Sequence, residues 1–167
     1  MNALVVGCGS IGARHARNLR TLGAAVTAFD PDRGRTARVQ QEAGVMVATS
    51  LDAALDSAPE LVLVCTPPHV HVQVARQAIA AGAHLFVEKP ISHTLDGVDD
   101  LLAAASASGR AVCVGYSLRF HGGLRKIKEL MDEGAIGRPL LVRAEAGQFL
   151  PTWRPTQDYR EGYIVNH

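Results

Sequence analysis

Short runs of apolar, largely β-branched residues recur at positions 3–7, 26–30, 45–48, 61–66, 84–88 and 111–115. Longer stretches of helical period lie between them. Leu95, Val98, Leu101, Leu102 and Ala105 share one helical face, as do Leu124, Ile127, Leu130 and Met131, and such spacings predict amphipathic helices. The short runs are apolar throughout, as in LVLVC at 61–65, which is expected of strands that helices cover on both sides. Strand and helix alternate along most of the chain, so the predicted fold class is α/β with a doubly wound parallel sheet.

The pattern changes after Gly134 and Gly137, two residues suited to ending a helix. PLLVRAEAGQF at 139–149 alternates apolar and polar positions, which predicts a strand with one wet face and the start of a second sheet of another kind. Such a strand, lacking the rest of its sheet, would offer an unpaired edge and invite homo-oligomer formation. Residues 150–167 hold Pro151, Trp153, Pro155 and two tyrosines without periodicity and read as a loop.

The first strand runs directly into GCGSIG, and the helical pattern Ile11 to Leu22 follows. This placement gives the three glycines a physical reading as a dinucleotide-binding turn. Gly7 permits the sharp turn, Gly9 leaves the backbone open to a pyrophosphate, and Gly12 lets the helix close on its strand. Ser10, Ile11 and Gly12 open that helix, where free N–H groups and the positive end of the dipole favour phosphate. Asp30 ends the next strand, 18 residues after Gly12, where a carboxylate accepts from both ribose hydroxyls. It favours NAD over NADP by repelling a 2′-phosphate, a preference that Arg33 and Arg35 soften. The dinucleotide-binding domain is placed at 1–120, with the start of a second domain, built on the sheet of another kind, at 121–167.

Charge adds little to this picture. Lys and Arg total 17 against 16 for Asp and Glu, so a net charge of +1 gives no reason to expect a nucleic-acid or membrane partner. The apolar fraction of 47% is that of an ordinary globular protein. Cys8, Cys65 and Cys113 form no C-x-x-C pair, which suggests neither metal site nor disulfide framework and fits a cytoplasmic setting. Cys8 reads as a small space-filler within the glycine turn.

Ligands of doubly wound sheets sit outside the carboxyl ends of the strands, so Thr66, Pro67 and Pro68 should border the pocket. His69 and His71 either line it or start the following helix. HLFVEKPIS repeats the arrangement one strand later and places Glu88 and Lys89 at the same edge.

GCGSIGARH, TPPHVH, VEKP and GYSLRF, in this order and spacing, resemble the Gfo/Idh/MocA family of NAD(P)-dependent sugar and cyclitol oxidoreductases. The resemblance implies that Lys89 lies beside nicotinamide and substrate, orienting the reacting hydroxyl or exchanging its proton. Glu88 would position Lys89 or touch the cofactor ribose, and His71 would join the cofactor-lining residues. Tyr116, Arg119, Trp153 and Arg154, with Tyr159, match residues on the approach to a small sugar or cyclitol substrate. Family members continue into an α+β substrate domain, which the resemblance implies for 121–167, with a D-x-x-x-H helix that this sequence lacks, and His167 does not replace it. The expectation is therefore NAD binding with little turnover by a lone chain; the alternative is a non-catalytic NAD-binding module or a half-enzyme needing a partner chain.

Overall fold

The computed structural model describes residues 1–153 together with Asp158 and Arg160. The chain divides into two compact units, Met1–Gly115 and Tyr116–His167.

The first unit is built on a sheet of six parallel strands. They are β1 (Asn2–Val6), β2 (Ala25–Phe29), β3 (Met46–Val47), β4 (Leu61–Val64), β5 (His84–Val87) and β6 (Val112–Val114), in the order β3-β2-β1-β4-β5-β6. Parallel neighbours need crossovers, and five helices supply them: α1 (Ser10–Thr21), α2 (Arg33–Ala43), α3 (Leu51–Asp56), α4 (His71–Ala80) and α5 (Val98–Ala107). Local chemistry fixes several ends. Asp32 caps α2 by accepting from Gly34 and Arg35 N–H, Ser50 caps α3 through Ala53 N–H, and Gly44 ends α2 in the left-handed conformation.

Side chains of a strand alternate between faces, so one strand feeds two cores. From β1, Leu4 and Val6 join Val62 and Val64 of β4 under α3, α4 and α5, where Leu101 and Ala78 are fully buried. Ala3 and Val5 join Val26, Ala28 and Leu63 under α1 and α2, with Ala13, Ala16 and Val39. Each Val or Leu buried this way contributes about 1.5–3 kcal/mol. The strand order reverses direction between β1 and β4, the point at which sheets of this kind place their ligand crevice, beyond the carboxyl ends of the strands.

The second unit holds α6 (Gly122–Asp132), whose Leu124, Ile127 and Leu130 are exposed, and the short α7 (Leu150–Trp153). Three expectations are corrected. Residues 150–153, read as part of a loop, form α7. Residues 139–149 form no strand, and Leu140, Leu141, Val142 and Phe149 are exposed. Alternation makes a strand only where a neighbour supplies the ladder, and the second unit has no strand among the described residues. The homo-oligomer expected through that strand loses its premise. Leu95 lies outside α5, which begins after Gly97 at φ +72°, and is 83% exposed; Leu102 turns to the edge while its neighbour Leu101 takes the core. None of the described helices is long and apolar enough to cross a membrane.

Candidate functional site

The turn after β1 is shaped by what its glycines cannot carry. Gly7 has φ +96°, and a Cβ there would lie 2.7 Å from the Cys65 carbonyl carbon and oxygen. At Gly12 a Cβ would come within 1.8 Å of the Gly7 oxygen, so any side chain would push α1 off β1. Gly9 differs from both, because a Cβ there would meet no atom within 4 Å. The space over Gly9 is open. Gly9 also N-caps α1 without any side-chain bond, which leaves the first N–H groups, those of Ser10, Ile11 and Gly12, facing outward.

Asp30 is only 7% exposed and ties this turn to β2. Its Oδ2 accepts the Cys8 N–H at 2.7 Å, and its Oδ1 accepts the Asp32 N–H at 2.9 Å. Each oxygen keeps a lone pair for a further donor. Arg35 Nη1 stands 3.9 Å from Asp30 Oδ2, and Arg38 Nη2 donates to the Cys8 carbonyl at 3.3 Å. The Cys8 thiol, fully buried, is pushed up to about 12 by burial first and the Asp30 charge second. Burial, then Glu88, pushes the Cys65 thiol up as well. Both cysteines therefore stay protonated near neutral pH and fill space.

Across the crevice, Thr66 follows β4, and its Oγ1 is buried without a hydrogen-bond partner. A buried hydroxyl in that state is a group waiting for a ligand or water. Pro67 is exposed and precedes a 3₁₀ turn, Pro68–Val70, from which α4 starts at His71. The His71 ring does not line the crevice as expected. It is 1% exposed, with Nε2 2.7 Å from the Thr66 carbonyl oxygen and Nδ1 3.0 Å from that of Pro90. After β5, Glu88 is half-buried, Lys89 is exposed, and the Lys89–Pro90 bond is cis.

Glu88 brings in a residue that sequence reasoning missed. His15 of α1 places Nε2 2.7 Å from Glu88 Oε1. His15 lies three residues after Gly12 on α1, which puts it on the helical face of the glycine turn, but the sequence does not name Glu88 as its partner.

The first unit thus brings together Gly7, Gly9, Ser10, Ile11, Gly12, Asp30, Thr66, Pro67, Glu88 and Lys89 at the carboxyl edge of one sheet. An open glycine turn, an uncapped helix start, a carboxylate with spare lone pairs and an orphaned hydroxyl are a donor and acceptor set that fits a dinucleotide. Tyr116, 49% exposed, and Arg119, in the turn Ser117–Phe120, belong to the second unit. Trp153 ends α7, while Arg154, Tyr159 and His167 lie outside the described residues.

Comparison with known proteins agrees with this geometry. Residues 1–116 match the model of a family described as "Oxidoreductase family, NAD-binding Rossmann fold". An inositol 2-dehydrogenase from Ralstonia nicotianae is 37% identical over 146 residues, covering 83% of this chain and 43% of the relative. Among solved structures, the UDP-N-acetylglucosamine 3-dehydrogenase GnnA from Acidithiobacillus ferrooxidans superposes with a TM-score of 0.73 at 28% identity, over 77% of this chain and 41% of that one. GenD2 from gentamicin A biosynthesis, solved in complex with NAD, has a TM-score of 0.76 at 29% identity, over 81% and 40% of the two chains. The chain spans about two fifths of the length of each of these proteins.

Proposed function

The chain belongs to the Gfo/Idh/MocA family of oxidoreductases, and from that premise we propose that its first unit binds NAD and presents it to a hydroxyl-bearing carbon of a small sugar or cyclitol. The observation that carries this reading is the open space over Gly9 beside an Asp30 carboxylate already locked onto the same turn. Gly9, Ser10, Ile11 and Gly12 hold the pyrophosphate with main-chain N–H groups, which need no reorganisation to receive it. Asp30 takes the adenosine ribose hydroxyls on its remaining lone pairs. A 2′-phosphate would meet that carboxylate, so NADP is the weaker ligand, although Arg35, 3.9 Å away, offsets part of the repulsion. Thr66 and Pro67 form the opposite wall.

The chemistry supplied by a bound nicotinamide is the acceptance or return of hydride. Lys89 then orients the substrate hydroxyl and carries its proton, and Glu88 holds the Lys89 loop.

Fluorescence titration of the purified chain with NADH, and with NADPH in parallel, tests the proposal. We expect saturable binding with NADH favoured by about tenfold, equivalent to ~1.4 kcal/mol. Absence of saturable binding by either would overturn it.

A further inference from the structure

The Glu88–Lys89–Pro90 tripeptide is gripped at both ends by histidines that the proposed reaction does not use. On one side His15 reaches across from α1 to Glu88 Oε1, and the two side chains are only 18% and 16% exposed. The His15 ring stands edge-on to Phe86 of β5, centroids 5.3 Å apart, so its direction is set by packing as well as by the hydrogen bond. The other carboxylate oxygen, Glu88 Oε2, accepts the main-chain N–H of Lys89 at 3.3 Å. Gly115 leaves room for this arrangement, since a Cβ there would lie 3.2 Å from both Glu88 Oε1 and the Phe86 ring.

On the other side the buried His71 ring sits between the carbonyls of Thr66 and Pro90. It thereby links the loops after β4 and β5. Two acceptors face one ring: a neutral imidazole donates to one of them at a time, and the doubly protonated ring donates to both. In either form the donor can come only from this side chain.

A lysine has a long flexible stem, so the placement of its amine depends on how firmly its main chain is held. Here the amino side of Lys89 is held through Glu88 by His15, and its carboxyl side through Pro90 by His71, while the amine itself is exposed. We propose that His15 and His71 are positioning residues for Lys89, fixing its main chain to the helix that opens with the glycine turn and to the Thr66 wall. This rests on the reading above that Lys89 stands beside the bound cofactor.

Lys89 is one of three lysines in the chain, and the other two, Lys126 and Lys128, lie on the exposed α6 and serve as internal references. Trace acetylation with and without saturating NADH, followed by peptide mass spectrometry, reads the shielding of Lys89 against them. In the unaltered chain NADH shields Lys89 and not the references. His15→Leu and His71→Leu, each folded by circular dichroism and each measured at saturating NADH, lose that shielding. His15→Gln and His71→Asn keep an N–H donor and retain it. A role in stability alone would lower the melting temperature without this donor-dependent split. Should a leucine variant not fold, Gly115→Ala presses on Glu88 Oε1 without burying an unpaired group and must also weaken the shielding.

Unchanged shielding in folded leucine or Gly115→Ala variants, or equal loss in the donor-keeping ones, overturns the positioning role and leaves the cofactor reading intact. Failure of the unaltered chain to bind NADH overturns both.

Discussion

α1 and α6 are helices of nearly equal length with opposite fates. The buried face of α1 is modest, Gly12, Ala13, Ala16 and Leu19, yet all four residues are inside. α6 has the larger apolar side chains, Leu124, Ile127 and Leu130, and no buried residue. Periodicity marks the face a helix can bury, but burial needs a surface of matching shape. α1 has one because Gly12 lets its backbone close on β1, and small side chains at short range gain dispersion that large ones on a free face do not.

Substitutions can break this contrast. The largest effect belongs to Gly12→Ala, whose methyl would sit 1.8 Å from the Gly7 oxygen. It should abolish the cooperative thermal transition, whereas Gly9→Ala, with no atom within 4 Å of the added carbon, should melt like the parent while binding NADH more weakly. Next comes the core: Leu101→Ala should cost about 2–5 kcal/mol in urea unfolding. Ile127→Ala on α6, where the side chain is 55% exposed, should stay within about 0.5 kcal/mol. A stability loss at Ile127 equal to that at Leu101 would mean that α6 is covered after all.

Smaller effects sharpen the picture. Iodoacetamide at neutral pH should modify the exposed Cys113 in the native chain and leave Cys8 and Cys65 untouched, since burial holds both thiols protonated. Denaturation should make all three react. Smallest of all is Glu60, whose carboxyl is held below its ordinary value by the Asn2 N–H and the terminal ammonium. A carboxylate depressed in the folded state stabilises above the unfolded value of about 4.3 and loses that contribution as pH falls below it. The slight difference in melting temperature between the parent and Glu60→Gln should therefore disappear on acidification.

The sheet was largely legible in the sequence because parallel strands buried on both faces must be apolar throughout, and all six runs became strands. The glycine turn, too, is a local pattern read in a local context. Pairings across long separations were not legible. His15 meets Glu88 across 73 positions, and nothing in either segment names the other. His71 left two readings open, and three-dimensional packing decided between them by turning its ring toward two carbonyls. The missing strand at 139–149 failed for a related reason, since alternation specifies which face a strand would bury and says nothing about whether a neighbour is there to pair with it.

The turn at Gly7 also has a history in time. Its N–H bonds to Phe29, its Cβ position is walled by Cys65 and Thr66, and Cys65 N–H bonds back to Val6. The earlier segment thus acquires its shape only when a strand more than 50 residues later docks beside it, a closure that non-local parallel sheets make slowly. A glycine turn of this kind cannot template its own domain. A dinucleotide held there would slow unfolding of the finished sheet and leave the folding rate unchanged, so its presence would be recorded in the lifetime of the native state.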